Sequence, residues 1–404
     1  MSLLAIDPIH ATAPAVTGQR VLIGADTYPP DVNGAAYFAH RLALGLAARG
    51  NDVHVVAPSG TGPAEVQEID GITVHRLRSR AIPVHKQMRY SNPLGLSDTI
   101  ADLIDRVRPD VVHVQSHFIV GRAAVRAARR SDVPLVATNH FMPDNLLHHA
   151  KVPQRLRERV SRLGWRDAAR VYGRADHVTS PTEIAARLFE AKGYKGDVEA
   201  VSCGIDLRRF APGRATRAGA RAHLGLADKP TIAFVGRLDQ EKRLHEPIEA
   251  AARLGVQIAL AGTGPQREEL RALAENLGAD LKLLGFVPDE DLHLVYAAAD
   301  VFVMPGVAEL QSIATLEAMA SGLPVVAADA VALPHLVREG ENGFLYRPGD
   351  VMELTGHLRA ILNDDLARRR MGHHSRSIAA GHDEQRSLAR FEQIYREVRA
   401  GALR

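Results

Sequence analysis

Cysteine is almost absent. Cys203 is the only one in 404 residues. A lone thiol excludes an internal disulfide and any cysteine-rich zinc site, and it makes the cytoplasm the default compartment. No run of about eighteen apolar residues exists, so no segment reads as a membrane-spanning helix. The first nineteen residues lack a basic stretch and contain Asp7, so 1–19 read as a loose leader rather than a secretion signal. Aromatic residues make up only 5%, but the 46% hydrophobic content is ample for packed cores and excludes wholesale disorder. The length predicts two domains.

The net charge is only +3, yet it is unevenly placed. Residues 1–210 carry 27 Lys/Arg against 21 Asp/Glu, while the remainder carries 23 against 26. The segment 151–174 alone has eight basic residues against Glu158 and Asp167, an excess equal to that of the whole first half. This concentration points to a local anionic partner and not to nucleic-acid binding. Arg155, Arg159, Arg162, Arg166 and Arg170 recur at helical spacing as one stripe, beside an apolar stripe of Val152, Leu156, Val160 and Leu163. Such a helix suits an anionic bilayer surface. A helix packed on the core with a solvated arginine face has the same spacing.

Short apolar runs alternate with helical patterns along the whole chain. Strands are expected at 20–25, 52–57, 72–76, 111–114, 134–138, 177–179 and 198–201, and a helix from Gly34 to Arg49. A second series follows at 231–235, 256–261, 281–284, 301–304 and 324–327. The alternation predicts an α/β fold with parallel sheets covered on both faces. The Gly/Pro/Ala-rich run 211–220 is read as the linker. Two such sheets in tandem place a ligand cleft at their strand C-terminal edges.

Candidate chemistry clusters where strands end. Gly34 lies between the first strand and first helix, where backbone N–H groups can meet an anion, or it is a plain turn glycine. Arg237 and Lys242 follow the strand 231–235 and can both reach a diphosphate, or they form a solvated charged loop. Glu309 precedes, and Glu317 lies on, a helix expected over 312–320. The N–H groups of Ser312, Ile313 and Ala314 then lie at its N-terminus. The carboxylates can hold sugar and ribose hydroxyls, or serve as a helix cap and a surface ion pair. His140 ends a strand run, where it can contact a substrate hydroxyl or be a satisfied buried histidine. His113, His117, His148 and His149 show no metal-ligand spacing. Asp289-Glu290-Asp291 reads as first-turn acids rather than a metal–nucleotide string. Gly262-Thr263-Gly264 lacks a third glycine, which argues against a hydride-transfer enzyme.

These motifs together resemble the retaining glycosyltransferases of family 4, from about Arg20 to the C-terminal helix. They run in family order: Asn33-Gly34, His140, Gly204-Ile205-Asp206, Gly236-Arg237 with Lys242, and Glu309 to Glu317 leading into Ala318-Met319-Ala320-Ser321-Gly322-Leu323-Pro324. The resemblance implies the GT-B architecture, two Rossmann-like domains facing across a cleft. Its domains would be an acceptor-binding domain over 20–210 and a nucleotide-sugar domain over 221–382, with a helix over 383–404 crossing back. It implies a UDP- or GDP-sugar donor and no cofactor. Arg237 and Lys242 would bind the diphosphate in place of a metal, with Gly34 near the distal phosphate and Glu317 on the ribose. Val287 would contact the base, and Glu309 and His140 would lie near the transferred hexose. The run from Thr138 to Pro143 looks like the glycolipid-forming members, so the acceptor is a membrane lipid or a soluble small molecule. Epimerases and phosphorylases of the same fold are the alternative. Two departures stand out: Gln311-Ser312-Ile313 replaces a Gly-Phe-Gly segment, and Cys203 replaces an asparagine.

Overall fold

The computed structural model describes residues 18–31, 33–82, 85–142 and 154–403. The leader up to residue 17, Pro143, His148, His149, Lys151 and Val152 lie outside them. The first sheet contains β1 (Arg20–Gly24), β2 (Asp52–Pro58), β3 (Glu65–Ile69), β4 (Ile72–Leu77), β7 (Val111–Val114), β8 (Leu135–Thr138), β9 (His177–Ser180) and β10 (Glu199–Ala200). Between β4 and β7, β5 (Ser79–Ile82) and β6 (His85–Ser91) form a separate antiparallel pair. The second sheet contains β11 (Thr231–Val235), β12 (Gln257–Ala261), β13 (Asp280–Gly285), β14 (Val301–Met304), β15 (Val325–Ala328) and β16 (Gly343–Tyr346).

The strand orders are β10-β9-β8-β7-β1-β2-β4-β3 and β13-β12-β11-β14-β15-β16. Both sheets reverse direction of winding once, between β1 and β7 and between β11 and β14. Those two switch points are where an open α/β sheet leaves a crevice at its strand C-termini. Every residue of β7, β8, β12, β14 and β15 is buried. Continuous apolar runs are what a parallel strand covered on both faces requires, and each buried Val, Leu or Ile contributes about 1.5–3 kcal/mol.

Three expectations are corrected. The first sheet is not wholly parallel, because β3 pairs antiparallel with β4. Asp70 and Gly71 both have left-handed backbone, φ 52° and 77°, the two-residue hairpin chemistry of an Asp-Gly turn. The strand expected over 198–201 forms sheet pairs only at Glu199 and Ala200. The domain crossing is not at 211–220. Cys203 packs against the first domain, whereas Ile205 and Phe210 belong to the core of the second. The Gly/Pro-rich run is a surface loop of the second domain that leads into the helix Arg217–His223, capped by Thr216. A surface loop and a linker select the same residues, which is why composition misplaces it.

The chain crosses at Gly204, where φ is 69° and a Cβ would lie 2.6 Å from the Glu384 backbone. It crosses back beside that point: Ile205 N donates to His382 O at 2.9 Å and Glu384 N to Ile205 O at 3.0 Å. The last helix, Glu384–Arg399, then lays Leu388, Phe391, Ile394, Tyr395 and Val398 into the core of the first domain.

Candidate active site

The second domain builds its half of the site on the loops after β11 and β14, either side of its switch point. The loop after β11 is pinned by backbone: Gly236 N donates to Ala261 O and Leu238 N to Thr263 O, at 3.0 and 2.9 Å. A Cβ on Gly262 would lie 1.9 Å from Gly236 O, so this close packing requires the glycine. Arg237 leaves the loop with its side chain 41% exposed, its guanidinium bonded to the buried Asp239 carboxylate. Lys242 follows in the short turn Gln240–Lys242, and its ammonium bonds Glu309 Oε1. Burial alone would lower the Lys242 pKa, but the Glu309 charge and hydrogen bond outweigh it and raise it. Both charges are largely shielded, so this pair is held more tightly than a surface one.

Glu309 stands in the loop after β14, and the helix expected over 312–320 runs Ile313–Ala320. Its cap residue, Ser312, has φ 68° and supplies no side-chain cap. The first N–H groups are thus not taken up by a capping oxygen and can meet an anion. The segment is also tied to the first domain. Thr182 Oγ1 donates to Leu310 O at 2.9 Å, and Cys203 N and Ser202 Oγ bond the Gln311 amide, both at 2.8 Å. Gln311 therefore fastens this loop to the crossing point.

Glu317 is buried on that helix. Tyr296 OH donates to its Oε2 at 2.8 Å, while Oε1 has no hydrogen-bond partner. Arg41 Nη1 lies 3.8 Å from Oε1. Burial pushes the Glu317 pKa up to about 7, against the opposing pull of Arg41 and Tyr296. A buried carboxylate with a vacant acceptor oxygen suits a hydroxyl donor such as a ribose. Val287 lies beyond β13, packed against the same core. Asp289 just after it pairs with Arg209, and burial raises its pKa to about 6. Among the described residues no group of three His, Cys, Asp or Glu is placed to hold a metal.

The first domain contributes the helix Gly34–Ala48 and the ends of β1, β7 and β8. Asn33 caps that helix, its Oδ1 accepting from Ala36 N at 2.9 Å, worth about 1 kcal/mol. Gly34 is exposed, with nothing within 4 Å of where a Cβ would stand. Two turns on, Arg41 reaches both Glu317 and Glu384, the latter at 3.0 Å. By contrast, the N-terminus of the helix Ile119–Arg130 is already filled: Asp26 accepts from Val120 N at 2.7 Å, Gly121 N at 3.1 Å and the Ser116 hydroxyl. His140 packs on Phe38 with ring centroids 4.4 Å apart, and its Nε2 bonds Gln115 Oε1 at 2.9 Å. Burial lowers its pKa to about 3, so the ring is neutral.

The structure thus joins Lys242 to Glu309 and brings Glu317 to the first helix. It also adds Arg41, Gln115 and Tyr296, which no motif marks, and gives Gln311, noted only as a departure from the family, a structural role. The basic segment forms the helix Gln154–Tyr172. Trp165, Ala168, Val171 and Tyr172 are buried and anchor it. Arg155, Arg159, Arg162 and Arg166 are exposed. Leu156, Val160 and Leu163 are also 41, 42 and 63% exposed, so the apolar stripe is not what packs on the core. A groove of about 140 Å³ lined by Arg122, Arg126, Arg170 and Arg174 opens beside it, and another of about 260 Å³, lined by Phe118, Ile119, Arg122 and Arg126, lies along the helix Ile119–Arg130.

Two α/β domains facing across a cleft, with a cationic loop and an uncapped helix at the second switch point, define a GT-B glycosyltransferase. The chain belongs to glycosyltransferase family 4. The model described as "Glycosyltransferase Family 4" matches residues 32–209 and "Glycosyl transferases group 1" matches 218–378. A GDP-mannose-dependent alpha-mannosyltransferase of Mycolicibacterium smegmatis is 32% identical over 81% of this chain and 84% of its own. The sulfoquinovosyl transferase SQD2 of Arabidopsis thaliana is 30% identical over 84% of this chain, which spans 65% of that protein's length. The structure of sucrose-phosphate synthase from Thermosynechococcus elongatus superposes with a TM-score of 0.77 at 22% identity, covering 94% of this chain and 99% of that one.

Proposed function

We propose that the protein is a retaining, metal-independent hexosyltransferase that moves a sugar from a UDP- or GDP-sugar to an acceptor hydroxyl, with a membrane lipid as acceptor. The observation that carries the donor half is the Lys242–Glu309 pair beside the uncapped N-terminus of the helix Ile313–Ala320. Arg237, Lys242 and the N–H groups of Ser312, Ile313 and Ala314 bind the diphosphate and stabilise its departing charge, the work a metal does elsewhere. Gly34 meets the distal phosphate, Glu317 the ribose and Val287 the base. Glu309 and His140 face the hexose. Glu309 is tied to Lys242, and among the described residues no second free carboxylate marks a nucleophile of the kind paired acids supply. Front-face transfer fits this. The bond from the anomeric carbon to the diphosphate breaks, the acceptor oxygen bonds the same face, and its proton passes to the leaving diphosphate oxygen.

The lipid acceptor and a membrane-peripheral location are supported by the exposed Leu156, Val160 and Leu163 beside Arg155, Arg159, Arg162 and Arg166, and the cytoplasmic setting by the single cysteine. Apolar and cationic side chains share one solvent-facing side, as an anionic bilayer surface requires. The deciding experiment is transfer and hydrolysis with several labelled sugar nucleotides, offered lipid and soluble acceptors, with the product anomer read by NMR. Inverted product, or no turnover of any sugar nucleotide, would sink the reading.

A further inference from the structure

His140 commits one ring nitrogen to the protein. Its Nε2 lies 2.9 Å from Gln115 Oε1, and an amide oxygen only accepts, so Nε2 carries the proton. A neutral imidazole has one N–H, which leaves Nδ1 with a lone pair. Gln115 is held in turn. Its Nε2 donates to His113 Nε2 at 3.3 Å, which Thr138 Oγ1 also approaches to 2.6 Å. Since His113 Nε2 accepts, its Nδ1 carries the proton and donates to Tyr395 OH at 2.7 Å. Both His113 and Tyr395 are fully buried. Burial pushes the His113 pKa down to about 3, so this ring too is neutral.

Tyr395 sits on the helix that returns from the second domain, 282 residues beyond His113. The same helix reaches His140 by a second, apolar route. Phe391 packs on Phe38 with centroids 6.0 Å apart, and Phe38 packs on the His140 ring at 4.4 Å. One polar chain and one aromatic stack therefore start on the returning helix and end on the same imidazole.

We infer that Gln115, by its direct hydrogen bond, and Tyr395, through His113 and Gln115, are positioning residues for the transfer: they hold His140 with Nε2–H turned to the protein and leave the Nδ1 lone pair to the substrate. The kinetic side of this inference rests on the transferase reading above.

The test uses the full chain labelled with 15N-histidine, with His140 assigned by its loss in His140→Gln. Long-range 1H–15N spectra without substrate should show Nε2 protonated and Nδ1 bare at neutral pH. In Gln115→Met the tautomers should mix, and kcat should fall by about tenfold to 10²-fold, the cost of a misplaced group, with the donor KM within about twofold. Tyr395→Phe should do the same to a smaller degree, and Gln115→Glu, which keeps the acceptor oxygen, should restore the Nε2–H form. Thermal melts check that each variant folds; the wild-type spectrum decides even if one does not. An Nδ1–H tautomer in wild type overturns the inference, as does a Gln115→Met variant with unchanged tautomer and kcat. His140→Ala turning over at the wild-type rate would overturn the role of His140 in transfer, whereas the substrate-free spectrum judges its positioning separately.

Discussion

Lys242 and Glu309 hold each other across the switch point of the second sheet, one from the loop after β11 and one from the loop after β14. On the proposed reading, a diphosphate that binds Lys242 competes with Glu309 for its ammonium and leaves that carboxylate available to the hexose. Glu309→Gln should therefore lower kcat on the order of 10²–10³-fold while changing donor affinity little. Rapid-quench turnover and calorimetric titration measure the two separately; a loss confined to affinity contradicts the assignment.

Arg237 is the more exposed cation of the loop, oriented by the buried Asp239. Arg237→Ala should cost about 2–4 kcal/mol in kcat/KM, the scale of losing one preorganised donor to a developing negative charge. Turnover should also persist in excess chelator. Activity abolished by chelation and restored by magnesium or manganese would show that the cationic loop does not replace a metal.

Burial makes the Glu317 carboxylate a pH-dependent cost to stability. Its folded pKa of about 7 exceeds the unfolded value of 4.5, so its contribution favours folding below pH 4.5 and is lost as pH rises through 7. At pH 8 the buried charge costs about 2–4 kcal/mol. Glu317→Gln should raise the Tm of the ligand-free protein at pH 8 and leave it nearly unchanged at pH 4.5, while weakening nucleotide-sugar binding at least tenfold. A lower Tm at pH 8 would refute the burial argument.

The basic helix should bind anionic vesicles at low salt. Each arginine near such a surface contributes about 1 kcal/mol, and screening over a Debye length of about 10 Å at 0.1 M should weaken the binding as salt rises. Changing Arg155, Arg159, Arg162 and Arg166 together to Gln should abolish co-sedimentation and leave turnover of a detergent-soluble acceptor intact. Equal binding by wild type and variant would transfer the acceptor reading to soluble molecules.

Much of the fold is legible from one physical fact: strands buried on both faces must be continuously apolar, as in Val301–Met304 and Val325–Ala328. The short edge elements escape that signal. β3 reads Glu65-Val66-Gln67-Glu68-Ile69 and is half exposed; only the Asp70-Gly71 turn after it betrays a hairpin. In the site, loops that follow strands are visible as motifs because chain order places them. Arg41, Gln115 and Tyr395 are not. Each looks like an ordinary polar residue within its own element and acquires a role only from partners 276, 25 and 282 residues away, Glu317, His140 and His113. Ser312 shows the limit differently. Its left-handed backbone is a position that favours glycine, but serine alone carries no sign of it.

The returning helix makes the first domain discontinuous in the chain. Phe391, Ile394 and Tyr395 complete its core, so a ribosome that has released residue 210 has not released the whole of that domain. Its apolar face beside the helix Gly34–Ala48 and β8 stays uncovered until Glu384–Arg399 has been made, while the second domain, contiguous from Ile205 onward, is made in the meantime. The half of the enzyme synthesised first is thus the half that finishes folding last, and cutting the gene between the domains severs the first from its own closing piece.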